Sequence, residues 1–600
     1  MRNPVAILNT LKRNSIKSNY KFRRLHRLLY NEEFFLLAYN NIYSSQGNMT
    51  AGSDGKTIDQ MSLERIQTLI QSIKNHKYQP QSVRRKYIPK KNGKMRPLGI
   101  PSIEDKLAQE VIRLILETIW EDAFSKNSHG FRQGRGCHTA LMNIKETFGG
   151  VKWFVEGDIK GFFDNIDHSI MVSILKSKIE DEYFVQLIMK YLKAGYMEEG
   201  RRHISYSGTA QGSLISPILA NIYLNEFDKY VSTYIQKFNK GTRRKRNPEY
   251  HRIDARKQYW IKKLRKLEKG TSRYIKVSVE IKRYSRLLLS TPASEPMDNE
   301  FRRMYYIRYA DDFLVGIIGA KIDAIQAKED FKIFMGNNLK LELSGEKTLI
   351  THSAKRIRFL GYDITIKRNN TPRKNKNGKL SRCYNSCVKL YMPKEVWLSK
   401  LLSLKAMHIV QATVAHKEQW LPNSWNKRIN NNEENIIKQY NDEIRGLYNY
   451  YKIACNVSYA MHKFRYFMYY SCIRTLAKKH RIRMKAARIK FDKDGHLMVE
   501  NTSFYSEGFH TLKTVPVDYY HDIDIHAKYR YPFGKYSPAR RILYGICELC
   551  GARNVRIIMH HVRSMKNIKP DTEWNAYMLK VHRKSIALCD HCNGIVHSSF

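Results

Sequence analysis

A chain of 600 residues exceeds what one hydrophobic core supports, so several domains are expected. Lys and Arg number 106 against 55 Asp and Glu, which gives a formal net charge of +51 and a pI of about 9.9. A compact body with this excess repels itself unless a polyanion neutralises it, and phosphate contacts also release condensed counterions. No run of about 18 apolar residues is present to cross a bilayer. Nucleic acid is therefore the expected partner, and a membrane is not.

The amino terminus and the cysteines both indicate a reducing compartment. Residues 1–20 are polar and lack the apolar core of a secretory signal. Four of the nine cysteines form two Cys-x2-Cys pairs and the others are scattered. This usage is typical of one metal site and not of a secreted disulfide scaffold. The cytoplasm is the expected location.

Taken in chain order, the spacing of apolar residues divides the chain into five segments. The first combines a Gly-rich loop at 47–55 with an amphipathic helix at 63–73. The second alternates short β-rich runs with helices and contains a strongly basic insertion, 235–303, that we expect to be helical and to touch nucleic acid. The third is helical, the fourth is aromatic and polar with little periodicity, and the fifth holds the paired cysteines. The predicted segments are 1–80, 81–385, 386–488, 489–541 and 542–600.

Two acidic motifs in the second segment carry the chemistry. Asp158 ends a strand-like run, and Asp311 and Asp312 lie between two β-rich runs, which predicts the turn of a hairpin. Adjacent carboxylates repel each other, and a pair of Mg²⁺ ions removes that repulsion. Nucleotide addition uses two such ions about 4 Å apart, one at the attacking 3′-hydroxyl and one on the triphosphate. Asp-Asp in a turn is common, so the motif gains its meaning from the motifs around it.

Two further motifs predict contacts to a nucleotide. The loop Ser207–Ser213 contains two glycines and precedes an apolar helix at 214–224, so its backbone can approach a base pair or a phosphate closely. Upstream, Arg96 follows a basic run at 86–94. Guanidinium and ammonium groups there would clamp a triphosphate.

The fifth segment contains a candidate zinc site. Cys547 and Cys550 form one pair, and Cys589 and Cys592 form the other. Two such knuckles closing a tetrahedral Zn²⁺ site are the best physical interpretation, against the alternative of four unrelated buried thiols.

In their order, the motifs resemble the reverse transcriptase blocks of group II intron-encoded proteins. The resemblance covers essentially the whole chain, including the stretches 48–54 and 444–451. Two positions depart from the usual pattern, Ala210 where proline is usual and Ser213 where glycine is usual, and both imply only a local change in the loop. The matching blocks are Arg96–Pro101, Ser128–Arg132, Glu156–His168, the loop of Gln211, Tyr309–Asp312, Leu343–Thr348 and Phe359–Tyr362.

The resemblance implies a multidomain α+β fold. It predicts a right-hand polymerase with fingers, a β-sheet palm and an α-helical thumb, joined to a small zinc-supported ββα-metal HNH domain. Each segment receives a role: an RNA-binding extension of the fingers (1–80), fingers and palm (81–385), thumb or maturase domain (386–488), DNA-binding region (489–541) and HNH endonuclease (542–600).

The resemblance also assigns residues to the polymerase site. Asp158, Asp311 and Asp312 are the expected catalytic ligands of Mg²⁺, and Ile159 belongs to both the metal and the nucleotide sets. Phe163 would lie beneath the sugar, where its ring excludes a ribose 2′-hydroxyl. The other expected nucleotide-binding residues are Lys90 and Arg96 on the triphosphate, Gln211 at the nucleotide or template, and Lys347 near the primer end.

For the HNH domain, the resemblance makes His561 the general base that activates water. His560, Asn593 and His597 would hold one Mg²⁺ against the scissile phosphate. Many relatives have histidine where Asn593 stands, although an amide oxygen also binds Mg²⁺ or Mn²⁺. The alternative is a zinc-held DNA-binding knuckle that has lost cleavage.

The function implied by the resemblance is that of a multifunctional ribonucleoprotein component. It would bind its group II intron RNA and help it splice, nick a DNA target, and copy the RNA into DNA from dNTPs at the nicked 3′ end. One alternative is a splicing cofactor that no longer polymerises, against which the intact aspartates argue. Another is a reverse transcriptase of a defence or diversity-generating system, which generally lacks a thumb paired with an HNH end.

Overall fold

The protein is described here from a computed structural model. The described residues are 3–89, 93, 95–198, 201–203, 207–209, 212–295, 297–369, 371–375, 377–381, 385–411, 418–493, 495–513, 531, 533–565 and 568–598. No helix within these ranges is long and apolar enough to cross a membrane.

The amino-terminal region packs its helices against a long buried helix of the next segment. Leu63 begins the amphipathic helix predicted from the sequence, and Ser62 caps it by accepting the Arg65 N–H. Apolar residues at helical spacing on this helix face the core. The elements are α1 (Pro4–Ser15), α2 (Glu32–Ile42), β1 (Met61–Ser62), α3 (Leu63–Lys74), β2 (Val83–Pro89), β3 (Met95–Ile100), α4 (Ile103–Trp120), β4 (Ser128–His129) and α5 (Cys137–Thr147).

A five-stranded sheet forms the centre of the molecule. Its strands lie in the order β10 (Ile350–His352), β5 (Trp153–Gly157), β9 (Asp312–Ile318), β8 (Arg303–Tyr309) and β4 (Ser128–His129). Both of its faces are buried: Val155 and Val315 point into one core, and Phe154 and Leu314 into another. Position 157 requires glycine, because the Phe313 ring occupies the space that a Cβ would need. The elements are β5 (Trp153–Gly157), α6 (His168–Lys176), α7 (Glu182–Lys193), β6 (Tyr196–Glu198), β7 (Arg201–His203), α8 (Ser216–Phe238), α9 (Pro248–Leu264), α10 (Ser272–Ser290), β8 (Arg303–Tyr309), β9 (Asp312–Ile318), α11 (Lys321–Leu339) and β10 (Ile350–His352).

The predicted insertion is helical. Helices α9 and α10 pack against each other, and α9 buries none of its side chains. Helix α8 continues to Phe238, past the predicted start of the insertion.

A second core joins the central sheet to the helical domain. It runs through a small sheet, β11-β12-β15, to the buried faces of α13 and α14. The elements are β11 (Ile357–Phe359), β12 (Tyr362–Ile366), β13 (Arg373–Lys374), β14 (Leu380–Ser381), β15 (Val388–Tyr391), α12 (Lys394–Ser403), β16 (Met407–Gln411), β17 (Glu418–Pro422), α13 (Glu433–Tyr451), α14 (Val457–His480), α15 (Met484–Phe491), β18 (Asp492–Lys493), β19 (His496–Val499) and β20 (Thr502–Ser503).

The carboxy-terminal module is joined to the amino-terminal region. Strand β1 pairs antiparallel with β21 and extends the β21-β22 sheet to three strands. Helix α16 crosses the predicted boundary at 541/542, since Arg541 donates to Glu548 and Ser585 within the module. The elements are α16 (Pro538–Tyr544), β21 (Ile558–His561), α17 (Glu573–Lys580), β22 (Ser585–Leu588) and α18 (Asp590–Ser598).

Candidate active sites

The three predicted aspartates lie at the same end of the central sheet. Strands β8 and β9 form a hairpin in which Tyr309 pairs with Asp312, so Ala310 and Asp311 form the turn. Gly157 pairs with Phe313, and Asp158 therefore emerges beside Asp312. The carboxyl groups of Asp158 and Asp312 are close enough that the charge of Asp158 contributes to the raised pKa of Asp312, after desolvation and the charge of Asp311. Asp158 and Asp312, which are 154 positions apart, are thus brought together by strand register.

A buried network holds the turn in an unusual conformation. Ala310 has a φ of 54°, in a region that residues with a Cβ rarely adopt. Its N–H donates to the His129 carbonyl at 3.1 Å, and its own carbonyl accepts from the Arg308 guanidinium at 2.8 Å. Arg308 is fully buried and pairs with Asp228 at 2.6 Å. Backbone strain that the surroundings enforce in this way is typical of functional sites.

The electrostatics of the site favour an added positive charge. Desolvation, together with the charge of Asp158, raises the pKa of Asp311, while Lys347 and Arg96 act in the opposite direction. Desolvation and the charges of Asp311 and Asp158 raise the pKa of Asp312 to about 7. A carboxyl group held partly neutral at pH 7 by its neighbours would ionise when a cation binds.

Lys347 pairs with one of the three aspartates. Its ammonium group lies 2.9 and 3.0 Å from the two carboxylate oxygens of Asp158, and this hydrogen bonding raises the pKa of Lys347. Over the ranges that the structure describes, the three aspartates do not bring their ligand oxygens within 4.8 Å of one another. The ammonium group of Lys347 therefore balances the charge of Asp158.

The predicted nucleotide-binding residues surround the aspartates unevenly. Phe163 is partly buried, and its carbonyl accepts the Thr209 N–H at 2.6 Å, so the segment 207–209 rests against it. Gly208 has a φ of 84° and lies so close to the Asp164 backbone that a Cβ would approach it to 2.7 Å. Arg96 is exposed on β3, whereas Ile159 as a whole is only 2% exposed. Ile159 therefore offers almost no surface to a ligand in this arrangement. Lys90, Ala210 and Gln211 lie outside the described residues.

The four paired cysteines converge at a metal-binding geometry. The sulfur atoms of Cys547, Cys550, Cys589 and Cys592 all lie within 4.8 Å of one another, and the Cys550 and Cys589 sulfurs are 3.8 Å apart. Four thiolates about 2.3 Å from a tetrahedral Zn²⁺ are separated by about 3.8 Å. The residues therefore fit a structural metal ion.

A second cluster in the same module joins the predicted HNH ligands. His560 lies within β21, and Asn593 and His597 lie four residues apart on α18, on one face of that helix. Nδ1 of His560, Oδ1 of Asn593 and Nε2 of His597 are buried and have no hydrogen-bond partner among the described atoms. The rings of His560 and His597 lie 5.2 Å apart, centroid to centroid, and buried polar atoms are almost always paired, so these orphaned ligand atoms fit a bound cation.

The predicted general base, His561, is covered by the amino-terminal region. It is 4% exposed, and its Nε2 shares a 2.7 Å hydrogen bond with the Tyr39 hydroxyl. Burial lowers the pKa of His561 to about 4, so the imidazole is neutral at pH 7. A neutral imidazole is the form that accepts a proton.

Sequence reasoning missed Asp59, which completes the second cluster. Its carboxylate oxygens lie within 4.8 Å of the ligand atoms of both His560 and His597. Asp59 follows the Gly-rich loop of the amino-terminal region, about 500 positions from those histidines. Nothing in the spacing or composition connects such distant residues.

The family comparisons cover all three functional parts of the chain. The family "Reverse transcriptase (RNA-dependent DNA polymerase)" matches residues 88–243, "Type II intron maturase" matches 398–528, and "AI2M/AI1M-like, HNH endonuclease" matches 547–593. The fold and the two centres therefore define a reverse transcriptase that also carries maturase and HNH endonuclease domains.

Relatives extend this similarity to the full length. The group II intron-encoded protein LtrA of Lactococcus lactis subsp. cremoris is 40% identical over 99% of both chains. The putative COX1/OXI3 intron 1 protein of Saccharomyces cerevisiae is 32% identical over 95% of this chain and 68% of its own. The chain belongs to the group II intron-encoded proteins. Among solved structures, apo telomerase from Candida tropicalis aligns at 12% identity over 50% of this chain and 55% of its own, with a TM-score of only 0.30.

These matches confirm the family, the fold class and the enzyme type predicted from the sequence. The reverse transcriptase and maturase domains imply binding of intron RNA.

Proposed function

We propose that Asp158, Asp311 and Asp312 form the polymerase centre and hold Mg²⁺ there while the protein copies intron RNA into DNA from dNTPs. Mg²⁺ would supply the activated 3′-hydroxyl and the charge that stabilises the leaving pyrophosphate. The observation that carries the proposal is the meeting of Asp158 and Asp312 at the ends of neighbouring strands, next to the turn residue Asp311. The raised pKa values of Asp311 and Asp312 support the proposal, because a bound cation would favour the ionised form of both carboxyl groups.

Around this centre, the chain's own residues would position the nucleotide. Arg96 would bind the triphosphate, because its charge already acts on Asp311. Phe163 would lie under the sugar, supported by the segment 207–209 that rests on its main chain. Lys347 would move from Asp158 to the nucleotide or primer when a cation takes over the balancing of the carboxylate. Lys90 and Gln211 remain predicted contacts on the basis of the family resemblance.

A template-primer extension assay tests the polymerase centre. Replacing Asp311 and Asp312 with asparagine should reduce DNA synthesis by at least about a thousandfold, since metal clamps supply several kcal/mol of transition-state stabilisation. Binding of intron RNA should persist. The control is Glu329→Gln, an exposed acid on α11 whose side chain is about half accessible. Synthesis that survives the double substitution would refute the assignment, and a wild-type protein without synthesis would indicate a splicing cofactor.

We propose a second activity, nicking of a DNA target, at the HNH module. Zn²⁺ on the four cysteines would hold the fold, and His560, Asn593 and His597 would hold Mg²⁺ or Mn²⁺ against the scissile phosphate. His561 would accept the proton of the attacking water, which requires that the Tyr39 hydroxyl first release its ring. His597→Ala should abolish nicking of supercoiled DNA without changing primer extension. Equal nicking by this variant would refute the site.

We propose that the excess positive charge serves binding of intron RNA and target DNA. The hairpin α9–α10 is one candidate contact, because Tyr259 is 59% exposed and Lys263 lies 5.1 Å from the Trp260 ring. Exposed rings beside cations suit stacking on unpaired bases. The region 489–541 remains a candidate DNA contact. Acting on these partners, the protein would nick a target and copy its intron from the new 3′ end in the bacterial cytoplasm.

A further inference from the structure

The amino-terminal region is built into the nuclease module and does not merely touch it. Strand β1 adds an edge to the module's sheet, with Met61 opposite Met559, and both side chains are fully buried. The Gln60 N–H donates to the Met559 carbonyl at 3.0 Å, and Glu64 forms an ion pair with Arg556. Main-chain pairing plus a shared apolar core positions the intervening residues accurately.

Asp59 is the residue that this pairing delivers to the cluster of unpartnered ligand atoms. Its Oδ1 lies 3.3 Å from Nδ1 of His560, and its Oδ2 lies 3.6 Å from Nε2 of His597. Oδ1 also accepts the His561 N–H at 2.7 Å, which fixes the orientation of the carboxylate. Two donors about 2.1 Å from one cation are separated by about 3.0 Å at a right angle and about 3.4 Å at a tetrahedral angle. The observed separations of 3.3 and 3.6 Å lie near the wider of these two spacings.

An ordinary ion pair does not account for the arrangement. The two ring nitrogens face the carboxylate at ion-pair distances of 3.3 and 3.6 Å, but neither has the geometry of a well-aligned hydrogen bond with it or with any other described atom. Oδ1 of Asn593 is buried and unpartnered as well. A neutral amide oxygen gains nothing from a cluster of this kind unless a positive charge lies within its reach.

We propose that Asp59 is a ligand of the nuclease cation, so that the ion is held jointly by the amino-terminal region and the HNH module. This inference rests on the proposed nuclease function and adds a fourth donor to His560, Asn593 and His597. A six-coordinate Mg²⁺ or Mn²⁺ would then keep two positions for a phosphate oxygen and water.

The same assignment specifies where the DNA strand enters. A cavity of 460 Å³ reaches Asp59 and His597, and it is lined on the amino-terminal side by Lys56 and Arg65. Nη2 of Arg65 is buried and has no hydrogen-bond partner among the described atoms. A phosphodiester that approached the cation through this cavity would meet both cationic side chains, so the substrate cleft is formed by two distant parts of the chain.

Affinity cleavage of the full-length, Zn²⁺-loaded protein tests the proposal. Fe²⁺ with ascorbate generates hydroxyl radicals that cut the main chain next to the bound ion, and the fragments show which residues surround it. We expect cuts near residue 59 as well as near 560 and 597. Asp59→Asn keeps the acceptor for the His561 N–H but removes the charge, and it should weaken Mn²⁺ competition for these cuts by about tenfold or more. Glu64→Gln is the matched control, because it removes a charge at the same interface outside the cluster, and it should change the competition less than twofold.

The outcomes separate this inference from the proposed nuclease itself. If His597→Ala removes the cuts while Asp59→Asn leaves both the cuts and the Mn²⁺ competition unchanged, the nuclease proposal stands and the role of Asp59 is wrong. If His597→Ala changes nothing, the nuclease site fails first. Nicking by Asp59→Asn should fall and should recover in excess Mn²⁺. A rise in nicking would mean that Asp59 blocks the ion, and would overturn its assignment as a ligand of the working site.

Discussion

Replacing Asp228 with asparagine tests whether the buried network behind the catalytic turn stabilises the central domain. Asp228 on α8 is 1% exposed and receives two hydrogen bonds from Arg308, at 2.6 and 2.8 Å, and one from the Tyr306 hydroxyl at 2.7 Å. The guanidinium group of Arg308 also donates to Ser128 and to the carbonyl of Ala310. Asparagine preserves the shape of the side chain but leaves the arginine charge unpaired in the core.

The magnitude follows from the burial of the pair. Removing one partner of a fully buried ion pair costs about 3–5 kcal/mol, because the remaining charge is neither solvated nor balanced. In a domain of this size each kcal/mol lowers the melting temperature by roughly 2–4 °C, so we expect a fall of roughly 6–20 °C. The Ala310 turn should lose its support at the same time, and primer extension should fall even at temperatures where the protein remains folded.

Differential scanning calorimetry measures the first effect, and the same helix provides the control. Glu226 lies two positions before Asp228 and Lys229 one position after it. These two residues form an ion pair at 2.7 Å, with side chains 34% and 61% accessible. Glu226→Gln should cost no more than about 1 kcal/mol. The double substitution Asp228→Leu with Arg308→Met, which removes both charges, should be milder than Asp228→Asn alone. A melting temperature of Asp228→Asn equal to that of Glu226→Gln would refute the reasoning.

Three further outcomes follow from the structure. Because the pKa of Asp312 is raised to about 7, protons compete with cations for this carboxylate below that pH. The Mn²⁺ affinity of the polymerase centre, measured by calorimetric titration, should therefore fall by up to about tenfold per pH unit below 7, and Asp312→Asn should lack this dependence. Gly208→Ala should lower primer extension strongly, since its φ of 84° and the nearby Asp164 backbone exclude a Cβ, whereas Gly336→Ala on α11 meets nothing within 4 Å and should leave extension unchanged and the protein slightly more stable. Removing the structural metal with a chelator, or replacing Cys592 with serine, should expose the module to proteolysis and abolish nicking while primer extension persists; a protease-resistant module without zinc would contradict the role of the four cysteines.

The amino-acid sequence alone was enough to predict the type of partner, the polymerase activity and a metal site. Its charge indicated a polyanionic partner, and the ordered motifs around Asp158 and Asp311 indicated a polymerase because each motif is local and keeps its meaning without long-range contacts. The Cys-x2-Cys pairs predicted a metal site for the same reason: a knuckle is a property of four consecutive residues, and the structure brings the two knuckles together. Helix α3 could also be predicted, because amphipathic periodicity and a serine cap are local signals.

The contacts between residues far apart in the chain became visible only in the three-dimensional structure. Strand register places Asp158 beside Asp312, and the fold also brings the Lys347 ammonium group to the Asp158 carboxylate. No local sequence pattern encodes either contact. Helix α16 packs with the nuclease module although it begins before the predicted boundary, because Arg541 on this helix donates to Glu548 and Ser585. Asp59 is the clearest case. An edge strand can pair with any compatible partner through main-chain atoms that every residue shares, so the pairing that carries Asp59 to His560 leaves no mark in the side-chain sequence.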